Sequence, residues 1–316
     1  MKRRQFISTT TTMLAAPALA RAATAQPFTV LLDWFVNPDH APLFAAKYCG
    51  AFARAGLDVN LIAPTDPSLP PQLLAAGHAD AALSYQAQLY LLVEAGLPLR
   101  RTGTLINKPL NTLTALKSSG VRSIADLKGR KIGYSVAGME TVLIATMLKS
   151  AGLTLDDVSL VNVNFNLVTA LQSHEVDAVI GTYRTYEDIQ LAQAGLDPVV
   201  FLPEAYGVPP SDELVLLSNA NALGNPALPR FLAALREGVA AYEAAPDKVL
   251  ASFLAENPTL NDKLDIASWH ALPPYFARHP AALDAARYTT YRDFLARNGL
   301  IKTARPLGDY AVEVTA

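Results

Sequence analysis

The side chains best equipped for chemistry crowd one stretch, Asp33-Trp34-Phe35-Val36-Asn37-Pro38-Asp39-His40, directly behind the apolar run Phe28-Thr29-Val30-Leu31-Leu32. Carboxylates accept hydrogen bonds, an amide both donates and accepts, and an indole face stacks on flat rings. Similar groups close other apolar runs: Ser84-Tyr85, Ser135, and Thr182-Tyr183 with Tyr186 and Glu187 just beyond. Trp34 and the tyrosines together can sandwich a planar ring, and Glu187 can accept from an amino group on that ring. This is binding chemistry.

Catalytic patterns are missing. Gly133-Tyr134-Ser135-Val136-Ala137 breaks the Gly-x-Ser-x-Gly elbow at its last position. No glycine loop with Lys-Ser/Thr is present to cradle a phosphate. The histidines His40, His78, His174, His270 and His279 never fall at metal-ligand spacing. Cys49 is the single cysteine, so there is no intramolecular disulfide and no multi-cysteine metal site; at a helix end it reads as a buried structural thiol. A binding protein with no cofactor, no metal and no enzymatic activity is expected. The loop Ser135-Val136-Ala137-Gly138-Met139-Glu140 opens a helix, and helix starts attract anions. Glu140 sets a negative charge in that first turn, which favours a neutral, ring-shaped ligand over a sulfonate or phosphate.

The elements that must position these groups alternate. Strands are expected at Phe28–Leu32, Gly56–Ile62, Asp80–Tyr85, Lys131–Ser135, Val158–Val163, Asp177–Tyr183 and Asp212–Leu217, with helices at about 41–53, 72–76 and 140–151 between them. That order argues an α/β fold with parallel, doubly wound sheets, which bind ligands outside the carboxyl ends of their strands. Two turns rhyme, Ala76-Gly77-His78-Ala79-Asp80-Ala81 and Ser173-His174-Glu175-Val176-Asp177-Ala178, each leading to a strand that reaches a tyrosine. Two similar lobes fit this. Helices at 228–244, 246–256, 266–276 and 280–298 complete the first lobe. The expected division is 26–111 with 213–316 in lobe 1 and 112–212 in lobe 2, joined by two crossing strands that act as a hinge, near 111–116 and 209–216.

With 316 residues, 51% of them hydrophobic, the chain can bury two cores of this size. A net charge of −2 gives it nothing with which to coat nucleic acid. Residues 1–25 read as an export signal: Arg3-Arg4 before an apolar, threonine- and alanine-rich stretch, then Ala18-Leu19-Ala20 and Ala23-Thr24-Ala25 as cleavage sites. The paired arginines look like the twin-arginine type. A soluble, periplasmic, monomeric protein is expected.

Leu32-Asp33-Trp34-Phe35-x-Asn37-Pro38-Asp39-His40 resembles the opening motif of extracytoplasmic solute-binding proteins related to the thiamin-pyrimidine synthases. Further matching segments include Ala81-Ala82-Leu83-Ser84-Tyr85-Gln86, Pro109-Leu110-Asn111-Thr112-Leu113, Asp126–Ser135, Tyr183-x-x-Tyr186-Glu187 and Glu204–Pro209, over about 28–217. The branch they look like captures formylamino-aminomethyl-pyrimidine for an ABC importer. The resemblance implies a type II periplasmic binding fold, a permease partner, and a ligand held in the cleft between lobes. It puts Trp34 and Tyr85 against the ring, and Asn37, Tyr183, Tyr186 and Glu187 on its polar groups. His40, Asn111, Ser135 and Gly138 complete the candidate set. Val36 and Thr185 depart from the pattern, which has proline and asparagine there. The same fold can carry a sulfonate, riboflavin or an aromatic carboxylate instead. The fungal synthases of the superfamily need a lysine for pyridoxal phosphate and a histidine as substrate; here those positions hold Ser84 and Gln88.

Overall fold

The computed structural model describes residues 25–315. All of the segment read as an export signal except Ala25 lies outside the described residues. The strands, in chain order, are β1 (Gln26–Leu31), β2 (Leu57–Ile62), β3 (Ala81–Tyr85), β4 (Leu99–Ile106), β5 (Asn111–Leu116), β6 (Lys131–Tyr134), β7 (Ser159–Asn162), β8 (Ala178–Tyr183), β9 (Pro198–Phe201) and β10 (Leu214–Asn219). They form two sheets of the same design, ordered β2-β1-β3-β10-β4 and β7-β6-β8-β5-β9. The rhyming turns therefore lead into β3 and β8, the central strand of each sheet.

Helices cover the sheet faces: α1 (Ala41–Tyr48), α2 (Ala51–Arg54), α3 (Pro70–Ala75), α4 (Gln86–Glu94), α5 (Met139–Ser150), α6 (Leu167–Gln172), α7 (Glu187–Gln193), α8 (Ala227–Ala244), α9 (Pro246–Glu256), α10 (Lys263–Ala271) and α11 (Ala285–Arg297). The single helix expected over 41–53 is two, because Gly50 takes a left-handed φ of 74° and ends the first. Cys49, the residue that ends α1, is exposed rather than buried; it sits past the last turn, off the face that packs on the core. Of the two late helices expected at 266–276 and 280–298, the first starts earlier, at Lys263, and the second later, at Ala285; their caps Asp262 and Asp284 accept from the amides of Asp265 and Arg287. Prolines 273 and 274 stop α10 at Ala271. The helix α8 returns to lobe 1 and lies so close on α1 that a Cβ on Gly238 would come within 2.3 Å of the Pro42 carbonyl oxygen.

The sheets are mixed, not purely parallel. β1, β2 and β3 run together, as do β6, β7 and β8, but β10 is antiparallel to β3 and β4, and β5 to β8 and β9. The reason lies in the crossings. The chain leaves the first sheet after Ile106 and enters the second at Asn111; it leaves the second after Phe201 and re-enters the first at Leu214. A strand arriving from the other lobe begins at the edge where its neighbours end, so it must run against them. Leu214 accordingly pairs with Tyr85, and Asn111 with Tyr183. Both pairs of strand ends face the gap between lobes.

Candidate functional site

The turn after β1 is built by its own side chains. Asn37 caps the short 3-10 turn Pro38–His40: its Oδ1 accepts from the Asp39 amide at 2.7 Å, and its own amide donates to His40 Nδ1 at 3.4 Å. With Nδ1 accepting, the ring hydrogen sits on Nε2, which donates to Asp33 Oδ1 at 3.0 Å. The phenol of Tyr85 donates to Asp33 Oδ2, also at 3.0 Å. His40 is fully buried and has both nitrogens engaged. It holds Asp33 and Asn37 in place and offers nothing to a ligand.

The facing wall belongs to lobe 2. Ser135 and Val136 donate their amides to Glu140 Oε2 at 2.6 and 2.9 Å. The Ser135 hydroxyl donates to the Asn164 carbonyl. Gly138 ends the loop with φ 89° and leads into α5. Glu140 packs against Gly181, where a Cβ would lie 2.1 Å from Glu140 Oε1. Gly181 has φ 108° and sits where the pairing of β8 with β5 slips by one residue, a β-bulge. Beyond it the Tyr183 amide donates to Glu187 Oε2 at 2.8 Å, and the Tyr186 hydroxyl reaches across to Asp265 Oδ1 of lobe 1 at 3.1 Å. At the crossings, Glu213 Oε2 accepts from the amides of Leu110 and Asn111 at 2.6 and 3.0 Å.

Between these walls lies a narrow cavity. Of the residues singled out from sequence, Trp34, Asn37, Tyr85, Asn111, Tyr183, Tyr186 and Glu187 line it. His40, Ser135 and Gly138 do not; they stand behind the wall and shape it. Asp33, Asp39, Val136, Met139, Glu140 and Gly181 line it as well. Of these, Asp33 and Asp39 lie in the opening motif and their position beside Trp34 and Asn37 was a usable signal. A second narrow cavity adjoins the first, with Tyr85, Asn111 and Met139 in both walls.

The wall carries four carboxyl groups and no lysine, arginine or histidine. Burial pushes Glu140 up to about 8 and Glu187 up to about 7, and raises Asp39 and the neighbouring Glu213. With its carboxyl raised this far by burial, Glu140 is not the fixed negative charge expected from its place in the first turn. Glu140 instead occupies the loop amides that an oxyanion would need. Three buried polar atoms of the wall residues have no partner among the described residues, namely Asp39 Oδ1, Asn111 Oδ1 and the Tyr183 hydroxyl. Each costs free energy unless a ligand or water satisfies it.

These raised values set a pH dependence of stability. Glu140 and Glu187 bind protons more tightly folded than unfolded, where the ordinary value is 4.5. Their contribution is full below that value and is lost as pH climbs through about 7 and about 8. The unfolding midpoint of the ligand-free protein should therefore fall between about pH 5 and about pH 8.5. A midpoint that rises over this interval would mean that the two carboxyls are not buried as described.

Two lobes of matched topology, with strand ends meeting at a shared cleft, define the type II periplasmic binding protein fold. The alkanesulfonate-binding protein SsuA of Xanthomonas axonopodis superposes with a TM-score of 0.71 over 92% of this chain and 99% of its own, at 16% identity, which is a likeness of fold alone. Residues 37–249 match the model of the family described as NMT1/THI5 like, and the chain belongs to that family. It is 44% identical over 303 residues to a thiamine biosynthesis protein of Haemophilus influenzae, covering 96% of this chain and 95% of that one. It is 40% identical over 190 residues to the formylaminopyrimidine-binding protein of Halalkalibacterium halodurans, covering 60% and 58%. A 4-amino-5-hydroxymethyl-2-methylpyrimidine phosphate synthase of Schizosaccharomyces pombe is 30% identical over 48% of this chain and 44% of its own. The chain thus has the fold of periplasmic binding proteins and belongs to a family whose relatives include both a binding protein and pyrimidine synthases.

Proposed function

We propose that this protein is the extracytoplasmic substrate-binding component of an ABC importer and captures a thiamin-related aminopyrimidine between its lobes. The lobes comprise 26–111 with 213–316, and 112–212. The observation that carries this reading is the cleft wall: the aromatic residues Trp34, Tyr85, Tyr183 and Tyr186, unpartnered polar oxygens, and no cationic side chain. A flat ring bearing amino hydrogens satisfies such a wall, whereas a sulfonate or phosphate does not. The similarity to a formylaminopyrimidine-binding protein supports the same ligand class. Arg3-Arg4 and the alanine-rich stretch behind it support export to the periplasm by the twin-arginine route. The partner is then a permease at the inner membrane, and the protein acts as a monomer.

A synthase reading is disfavoured by two side chains. Ser84 donates to Gln88 Oε1 at 2.7 Å; both are buried, bonded to each other, and outside the cleft wall. They stand where the synthases' lysine and histidine would act. No group in the wall is suited to hold pyridoxal phosphate or a phosphate product.

A thermal-shift screen tests the proposal, because a ligand of the folded state raises the midpoint through RT ln(1 + [L]/Kd). Formylaminopyrimidine and 4-amino-5-hydroxymethyl-2-methylpyrimidine should raise it; taurine and riboflavin should not. Stabilisation by either of the latter alone defeats the ligand assignment. Formation of a pyrimidine from added pyridoxal phosphate and iron would make the protein an enzyme. Within the same screen, Glu187→Gln should weaken amino-bearing pyrimidines more than their deaminated analogues. Equal losses would give Glu187 a structural role.

A further inference from the structure

The carboxyl groups of the cleft differ in what already satisfies them. Glu140 is bonded to two loop amides, Glu187 to the Tyr183 amide, and Asp33 to His40 and Tyr85. Asp39 stands apart. It is 4% exposed, it lines the cavity, and its Oδ1 has no hydrogen-bond partner among the described residues. The Asp39 amide is fixed by Asn37, so the residue is held in place by its backbone while that oxygen is left free. A buried carboxyl oxygen without a donor is costly, and the wall holds no cation that could neutralise it. A ligand that brings a donor to this oxygen removes that cost.

We infer that Asp39 is the ionic partner of the ligand, which the closed cleft holds as the cation of a nitrogen heterocycle, an aminopyrimidinium. This rests on the reading of the cleft as an aminopyrimidine site. The proton is supplied internally. Burial, with Asp33, Glu187 and Glu213 nearby, favours the protonated form of Asp39 in the ligand-free cleft. When a neutral aminopyrimidine enters, the O–H bond of Asp39 breaks and an N–H bond forms at a ring nitrogen. The electron pair of the broken bond stays on the carboxylate, and the total charge of the complex is unchanged. The new N–H donates to Asp39, and the adjacent amino group gives a second donor to the acceptor-rich wall, where Asn111 Oδ1 is also unpartnered. Charge-assisted pairs of this kind are about twice as strong as neutral ones, so a ring without a basic nitrogen is discriminated against.

The test uses 4-amino-5-hydroxymethyl-2-methylpyrimidine and its benzene counterpart, which has the same substituents and carbon in place of both ring nitrogens. Wild type should bind the pyrimidine at least about tenfold more tightly, and Asp39→Asn should weaken it about 30-fold while changing the benzene compound by less than about twofold. Equal losses for both ligands, or no loss, overturn the inference. A second measurement needs no variant: the ultraviolet spectrum of the pyrimidine bound to wild type should match that of the ring protonated in acid. A neutral-ring spectrum overturns the inference while the aminopyrimidine reading stands. Failure of wild type to bind any aminopyrimidine overturns that reading, and the inference with it.

Discussion

Gly181→Ala should abolish ligand binding and destabilise the protein by about 3 kcal/mol or more. Three costs coincide at this bulge. Alanine is strained at φ 108°, and its Cβ would lie 2.1 Å from Glu140 Oε1 and 2.8 Å from Glu140 Cδ. Relieving that clash moves Glu140 off the amides of Ser135 and Val136, which are then buried without acceptors, and pushes the carboxyl into the cavity. Gly195→Ala is the control, since φ there is 71° with nothing within 4 Å of the added carbon. It should cost only the backbone penalty, about 1 kcal/mol, and leave ligand affinity intact. Urea unfolding and calorimetric titration of both variants give the comparison. Matching losses in the two would show that Gly181 matters only for its backbone.

Trp34→Ala should weaken ligand binding by about 1–3 kcal/mol, by analogy with stacking of bases on aromatic side chains. In Kd that is roughly 5- to 150-fold. The indole lies in the cavity wall and meets the ring of Phe165 edge-on, with centroids 4.5 Å apart and planes at 72°. Trp34 comes from lobe 1 and Phe165 from the loop between β7 and α6 in lobe 2, so the indole has two duties, a face for the ligand and a contact across the gap. Phe165→Ala separates them. It removes the second duty alone and should cost about 0.5–1.5 kcal/mol. Trp34→Phe, which keeps a smaller ring, should recover part of the loss. Unchanged affinity in Trp34→Ala would take the residue out of the site.

What could be read from the chain follows from what is local. Strands that end in Tyr85 and Tyr183, or just ahead of Trp34, are visible because an apolar run breaks into aromatic and polar residues, and the edge at which they end is where open α/β sheets bind ligands. The opening motif makes the turn around Asn37 legible, since an asparagine ahead of a proline is a start signal for a helical turn. Roles that depend on pairing were hidden. His40 belongs to a motif rich in binding groups, yet the same turn that brings it near the cleft closes both its nitrogens. Gly181 reads as an ordinary strand glycine until the register with β5 is known. The antiparallel entry of β5 and β10 follows from where the chain crosses, which no apolar pattern encodes. Asp39 has the composition of a solvated turn residue, and only its burial and its bare oxygen mark it.

Glu213 carries a mechanical consequence. Its carboxylate, on the return crossing, grips two successive amides of the outgoing one. Sliding one segment past the other would strip both bonds in a buried setting, while swinging the pair together strips neither. A parting of the two halves that keeps both crossings together therefore leaves this buried clasp intact.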